Sequence, residues 1–424
     1  MKVNLTTLNK NILKIFKDIG SVADRQGVTV YVVGGFVRDL ILKQENLDID
    51  VVVEKDAIAL AQFLAKAQKA TAKIYNEFGT ATFFYPNGFR VDFATARQEV
   101  YDCPGALPTV RRGSIHDDLF RRDFTINAMA MVVNKRRFGE LVDIFGGLSD
   151  LKHRQVRILH SKSFRDDPTR VLRAIRFEQR LDFCLEQKTF VLLKSAIQND
   201  YFKYVTLPRY FEEFKKILKE AHPAKAIGRL RQLQGFKFFK NNFRPNMATL
   251  DRLEGNVAKL KKRNLYKNYG EWWLIYLAGM MESRKDSEVK NLIDSLNLTR
   301  EQKSALLNCG RARSAERKLK ARNLMPRQVY QILKPLGPAI IHFIRAKTSV
   351  NIVNRYVDDF LRIYSKVKLR VTGRDLKRLG IPADKEMGKI LSELFLRKVD
   401  GKLTSRAKEL KEVLKVKTIL QEKE

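Results

Sequence analysis

Cysteine is scarce in this chain, three in 424 residues, and Cys103, Cys184 and Cys309 stand too far apart for a metal knuckle. Their odd number also disfavours a disulfide framework. The five histidines show no metal-ligand spacing. Long apolar runs are missing, for none approaches the roughly 20 residues a membrane helix needs. The opening stretch, "MKVNLTTLNKNILKIFKDIG", interleaves lysines with apolar residues at helical spacing and holds no signal-peptide core. Internal repeats and low-complexity linkers are absent too. These gaps argue against a secreted scaffold and a membrane protein, and a cytoplasmic protein is expected.

What is present points to a folded, basic, multidomain chain. Apolar residues make up 44% and aromatics 10%, enough to build real cores in a chain long enough for two or more domains. Acid is the minority charge, with 47 Asp and Glu against 82 Lys and Arg. The excess is unevenly spread. Residues 1–150 hold 20 basic and 18 acidic residues, whereas residues 151–424 hold 62 and 29. A polyanion partner is one physical reading, because neutralised phosphates release condensed counterions. A lysine-rich solvated surface is the other.

Periodicity divides the chain in the same place. Up to about residue 150, the β-branched and aromatic runs "VTVYVV", "IDVVV", "TATFFY" and "FRVDFATA" alternate with helical patterns such as "DAIALAQFLAKAQKA". Beyond it, "DPTRVLRAIRFEQRL", "LPRYFEEFKKILKEA", "KNYGEWWLIYLAGMME" and "PADKEMGKILSELFLRK" predict successive amphipathic helices. A small α/β head followed by an all-helical body and tail is expected. Trp272 and Trp273 are expected in the core. Residues 98–118, with Pro104, Gly105, Pro108 and Gly113, read as a loop.

The stretch "YVVGGFVRDLILKQENLDIDVVVEKD" carries the first chemistry. Period-2 alternation puts Asp48 and Asp50 on one face of a strand, with Ile49 on the other. Close carboxylates repel, and one is pushed towards protonation unless a cation sits between them. A divalent ion with oxygen ligands resolves this; a charge-protected strand edge is the competing reading. Upstream, Gly34 and Gly35 end a strand and a helix begins. That junction can turn backbone N–H groups towards phosphate, with Arg38 one turn in to pair with it. Asp92, in "FRVDFATA", is a candidate third carboxylate on a neighbouring strand.

"GGFVRD", "LDID" and "RRDFTINAMA", continued by "VDFATARQEVY", "LVDIFGGLSDL" and "FRDDPTRVLRAIRF", resemble the class II nucleotidyltransferases, the tRNA CCA-adding enzymes and bacterial poly(A) polymerases. The likeness spans about residues 28–182 and returns weakly in "VTGRDLKRLGIPADKEMGKILSELFLRKVDGKL". It implies an α+β protein. The polymerase-beta-like head would have a small mixed sheet over 1–150, followed by a helical neck over 151–220, a body over 221–350 and an RNA-binding tail over 351–424. It implies that Asp48 and Asp50 bind Mg²⁺ and activate a primer 3′-hydroxyl. Gly34, Gly35 and Arg38 would meet the nucleotide's phosphates, Arg122 the nucleotide, and Asp123 the ribose. Asp167 and Arg170 would recognise the base, with Arg173 and Arg176 completing the site.

The residues around Asp167 bear on this by themselves. Pro168 suits a first helical position and Asp167 an N-cap. Arg170, Arg173 and Arg176 recur every three residues. An Asp and an Arg together offer acceptors and donors for the Watson–Crick edge of either C or A. Arg209 and Glu213 are spaced to pair across a helical turn. One departure concerns Asp166, which stands where the family usually has Glu. The family's His-Asp phosphohydrolase signature is absent. The resemblance implies addition of CCA, or its terminal A, to tRNA from CTP and ATP, with pyrophosphate released and no DNA or membrane partner. Alternatives are CC addition, poly(A) synthesis, or a non-catalytic RNA-binding protein.

Overall fold

Val30–Val33 and Ile49–Val53 carry β-branched side chains that fit a pleated, buried surface. In the computed structural model, which describes residues 1–6, 8–237, 239, 243–267 and 269–421, they become neighbouring strands at the centre of a sheet. The chain divides into two compact units, Met1–Ile217 with Lys225–Phe243, and Leu218–Ala224 with Arg244–Glu424.

The first unit opens with α1 (Lys10–Arg25), β1 (Val30–Val33), α2 (Gly35–Ile41), β2 (Ile49–Val53) and α3 (Ala57–Gln68). Then come β3 (Thr71–Tyr75), β4 (Thr80–Phe84), β5 (Arg90–Thr95), β6 (Arg97–Val100), β7 (Thr109–Arg112), α4 (Ile115–Phe120), β8 (Ala130–Val132) and β9 (Leu141–Val142). Seven strands form one mixed sheet in the order β3-β4-β5-β2-β1-β8-β9, with β2 and β5 parallel and the other neighbours antiparallel. This is the mixed-sheet head expected from the sequence. Strand β3, "TAKIY", is an addition to the runs read from it. Asp56 caps α3 by accepting from the Ile58 and Ala59 N–H groups at 3.0 Å. The buried side of α3, including Leu60 and Leu64, packs on β4 and β5, where Ala81, Phe83, Val91 and Phe93 are buried. Burying each such large side chain contributes roughly 1.5–3 kcal/mol.

The segment read as a loop is better ordered than its prolines and glycines suggest. β6 and β7 pair antiparallel from Arg97 opposite Arg112 to Val100 opposite Thr109, and only the tip between them is irregular. The alternating "RQEV" and "TVRR" supply the strands, while Pro104, Gly105 and Pro108 belong to the tip.

Helices follow: α5 (Gly147–Lys152), α6 (Ser163–Asp166), α7 (Arg170–Leu181), α8 (Gln187–Gln198), α9 (Leu207–Lys219) and α10 (Pro223–Gln232). α7 begins at Arg170, three residues after the expected cap. Asp167 instead folds over a turn, accepting from the Thr169 N–H and hydroxyl at 3.1 and 2.7 Å. A side chain satisfied by its own turn competes with helix initiation.

Among the described residues no strand follows Leu185. In the second unit all ten residues of Trp272–Met281 are buried, Trp272 and Trp273 included. Near its end Val371, Leu376, Ile390, Leu394 and Val413 form a small core of their own. Beside it the buried Glu409 accepts from the Arg370 and Val371 N–H groups at 2.8 Å. No described helix is long and apolar enough to cross a membrane.

Candidate active site

The sheet register decides where the carboxylates stand. In the parallel pair β2–β5, Asp50 lies directly beside Asp92, and across β4–β5 Asp92 lies beside Thr82. Asp48 immediately precedes β2, with its N–H bound to the Asn46 side chain at 2.8 Å. Asp50 is open to water at the floor of a cleft, yet protein crowds it. That crowding, together with Asp48 and more weakly Asp92, pushes its carboxyl up to about 6, against the pull of Arg122 and Arg90. Asp92 has other partners: it accepts from the Thr82 hydroxyl at 2.6 Å and from Arg90 Nε at 3.1 Å. Among the described residues no group of three or more His, Cys, Asp or Glu side chains is placed to hold a metal ion. Asp48 and Asp50 remain as an acidic pair.

Asp48, Asp50, Gly35, Arg38, Arg122, Asp123, Asp167, Arg170, Arg173 and Arg176 all line this one cleft, of about 1080 Å³. Gly34 sits beside its wall. With φ of +72° and a would-be Cβ only 2.5 Å from an Arg122 guanidinium nitrogen, the position takes no side chain without displacing that arginine. Its N–H donates to the Met129 carbonyl at 3.0 Å, so this glycine shapes the wall and does not offer that donor to a ligand. Arg122 is anchored from behind by Asp118 at 3.0 Å. Asp118 also binds Arg121; burial favours its protonated form, but the two arginines outweigh this and hold it below the usual carboxylate range.

Two residues expected to touch the nucleotide are held by protein groups. Arg38 is buried, with Nε and one terminal nitrogen on Asp39 at 2.7 and 2.9 Å and the other on Asn127 at 2.6 Å. Asp123 is buried as well, accepting from Asn127 at 2.9 Å and from Arg173 Nε at 2.8 Å. Burial alone would raise its carboxyl; Arg173 and Asn127 reverse that and lower it to about 2. Asp39, Arg38, Asn127, Asp123 and Arg173 thus form one continuous polar chain beneath the cleft.

The base-reading candidates are held by different partners. Arg170 is buried and fixed by the Ser163 hydroxyl at 2.7 Å and the Arg121 carbonyl at 2.8 Å. Asp167 is reached by Arg209 at 3.3 Å, and Arg209 also donates to the Gly105 carbonyl at 2.8 Å. Arg209 therefore holds the tip of the β6–β7 hairpin against the turn before α7. Glu213 meets Arg173 on α7 at 3.4 Å and Lys216 on its own helix at 2.5 Å, so the expected Arg209–Glu213 pair gives way to other partners.

Residues 30–157 match the model of the poly(A) polymerase head domain. The A-adding tRNA nucleotidyltransferase of Geobacter sulfurreducens is 35% identical over 413 residues, 95% of this chain and 47% of its own length. A solved CCA-adding enzyme in complex with ATP matches with a TM-score of 0.78 at 33% identity, over 98% of both chains. The Thermotoga maritima CCA-adding enzyme complexed with tRNA matches with a TM-score of 0.71 at 33% identity, again over 98% of both. The chain belongs to the class II tRNA nucleotidyltransferases. It spans about half the length of the first curated relatives it matches.

Within this family's site, sequence reasoning missed Asn127, Asp118 and Asp39. Asn127 and Asp39 lie inside the quoted stretches "RRDFTINAMA" and "GGFVRD", and Asp118 stands four residues before Arg122. The missing signal was burial, which turns an unassigned polar residue into an obligatory partner. Phe177, under the guanidiniums of Arg38 and Arg176 at 5.0 Å, was missed because an apolar residue on a helix reads as core.

Proposed function

We propose that this chain transfers a nucleotidyl group from CTP or ATP to the 3′-hydroxyl of a tRNA end, adding CCA or its terminal A without a nucleic-acid template. One observation carries the reading: the Asp48–Asp50 pair opens into a cleft walled by Arg122, Arg170, Arg173 and Arg176. The 3′-hydroxyl gives up its proton to water or to a carboxylate of the acidic pair, its oxygen bonds to the α-phosphorus, the bond from that phosphorus to the bridging oxygen breaks, and pyrophosphate leaves.

The donor set fits a hard divalent ion such as Mg²⁺. Asp48 and Asp50 offer only oxygen, and a cation between them relieves the repulsion that raises Asp50. When bound there, such an ion supplies Lewis-acid polarisation and a lowered hydroxyl pKa. The chain's own residues do the rest. Arg122 and Arg173, each braced by a buried carboxylate, present fixed positive charge to the triphosphate, where little reorganisation is needed as charge shifts. Arg170 and Asp167 read the base from rigid positions, and Arg38 with Asp123 keep this arginine wall in place.

Relatives named A-adding in Geobacter sulfurreducens and Aquifex aeolicus support terminal-A addition, and solved relatives in complex with CTP and with ATP support the wider CCA reading. Chemistry on tRNA with these nucleotides places the protein in the cytoplasm on this reading. The test presents tRNAs ending before CCA, after C and after CC, each with single labelled nucleotides and Mg²⁺. CCA, CC, A-only and poly(A) activities give different product lengths. No incorporation on any of the three ends overturns the proposal.

A further inference from the structure

The face of the sheet that carries Asp50 does not stop at the cleft. In register across β2, β5, β4 and β3 stand Asp50, Asp92, Thr82 and Lys73. Off this row on the same face, Arg90 on β5 and Phe84 opposite it on β4 lie two residues to one side, whereas Tyr75 on β3, opposite Thr80, lies two residues to the other. The side chains confirm the register. Thr82 and Arg90 both bind Asp92, and Lys73 lies over the Tyr75 ring at 5.2 Å. Asp92, and more weakly Asp48, hold the Arg90 guanidinium charged. The opposite face is covered by α3, whereas here Tyr75 is 37% and Phe84 46% exposed.

Two open aromatic rings and two cations beside an acidic pair make an unusual surface for the outer part of a sheet face. Aromatics on an edge invite association, and the common protections are charge and coverage. Lys73 gives some charge, but Tyr75 and Phe84 stay exposed on this face. Single-stranded nucleic acid fits its chemistry: bases stack on exposed rings, and Lys and Arg follow the phosphates. Three strand spacings, about 14 Å, separate β2 from β3. That is room for roughly four bases stacked at about 3.4 Å each.

We infer that Lys73, Tyr75, Phe84 and Arg90 form the track on which the single-stranded 3′ end of the RNA lies as its terminal hydroxyl reaches Asp48 and Asp50. The inference rests on the function proposed above and adds where the acceptor strand runs. It assigns opposite halves of one site to the two substrates: the arginine wall to the nucleotide, the outer sheet to the primer.

The test measures KM for a tRNA ending in CC and, separately, KM for ATP, in the wild type, Tyr75→Ala, Phe84→Ala and the double variant. Phe63→Ala, an exposed ring on α3, serves as the control. Losing a stacking ring should raise the KM for the tRNA roughly tenfold to a hundredfold, while the KM for ATP moves less than about twofold. A 2-aminopurine placed near the tRNA 3′ end should be quenched on binding the wild type and brighter on the double variant. A primer KM within about twofold of wild type, or a parallel rise in both constants, overturns the track. So does a wild-type dimer that the double variant dissolves without change in primer KM, which would make this face a self-interface. If the wild type itself adds no nucleotide to this tRNA, the proposed function fails, a result separable from failure of the track.

Discussion

Asp50 and Asp123 are both carboxylates near the same arginines, yet their surroundings move them in opposite directions. Asp50, crowded and beside Asp48, is pushed up to about 6. Asn at either Asp48 or Asp50 should abolish nucleotide addition while filter binding finds RNA affinity nearly unchanged; substantial activity in both variants would remove them from the chemistry. The raised Asp50 also has a stability consequence without metal. Ionising it costs the folded state, a cost absent below the ordinary value of 3.8 and fully present above about 6. Asp50→Asn should therefore raise the melting temperature of metal-free protein at pH 7–8, with the gain fading as pH falls from 6 to 4. A gain that is the same at pH 4 and pH 8 would contradict this. Asp123, lowered to about 2, is the reverse case. Asp123→Asn should destabilise by somewhat less than the roughly 3–5 kcal/mol of a fully buried broken pair, because Arg173 keeps Glu213 and is 26% exposed. Urea unfolding measures this. A stable variant with altered ribonucleotide preference would instead favour the direct ribose contact implied by the resemblance. The sequence grouped these residues and the structure lines one cleft with them, but their partners were hidden. Arg38 and Asn127 lie 89 positions apart, and only folding makes them neighbours.

At the scale of elements, period-2 patterning gave strands to within a residue or two: "IDVVV" is β2 without adjustment. Failures fell where local chemistry and tertiary context disagreed. Pro168 and Asp167 carry start signals for a helix, but Asp167 spends its oxygen on the Thr169 turn, and α7 begins later. Proline and glycine at the hairpin tip masked the two strands that flank it. What orders that tip is a long-range contact, Arg209 holding the Gly105 carbonyl and Asp167 at once. Arg209→Ala should cost little stability, about 1 kcal/mol or less for a partly exposed ion pair, yet loosen both the tip and the turn at Asp167 that is proposed above to read the base. Single-nucleotide incorporation with all four NTPs should show discrimination for CTP or ATP over UTP and GTP falling roughly tenfold, the equivalent of about 1.4 kcal/mol. Gly105→Ala should act in the same direction, because φ is +69° and a Cβ would meet the Tyr204 carbonyl oxygen at 2.5 Å. Unchanged ranking among the four nucleotides in both variants would make the latch purely structural.

Across the whole molecule, charge is divided as sharply as structure. Residues 1–150 are nearly neutral, whereas residues 301–424 alone carry 30 basic and 13 acidic residues. On the proposed function, a triphosphate needs only the few arginines placed in the cleft. A surplus of this size elsewhere suits a long polyanion, and it was legible from composition before any fold was known. Which side chains face outward was not, since periodicity gives a face but not its exposure. The helix Cys309–Leu319 shows the result: Ala312, Ala315 and Leu319 are buried, while Arg311, Arg313, Arg317 and Lys318 are exposed. If this surface meets RNA phosphates, binding should weaken with a log–log salt slope of several units, at about 0.7 for each phosphate contact to single strands and about 0.9 to duplex. Changing Arg311, Arg313 and Arg317 together to glutamine should then flatten the slope by about two to three units. The Mg²⁺-dependent KM for nucleotide should stay near the wild-type value, because none of the three lines the cleft. Titrating labelled tRNA between 50 and 200 mM salt decides the matter: an unaltered slope in the triple variant removes this helix from the RNA surface, and a flat slope in the wild type means the excess charge is only solvated.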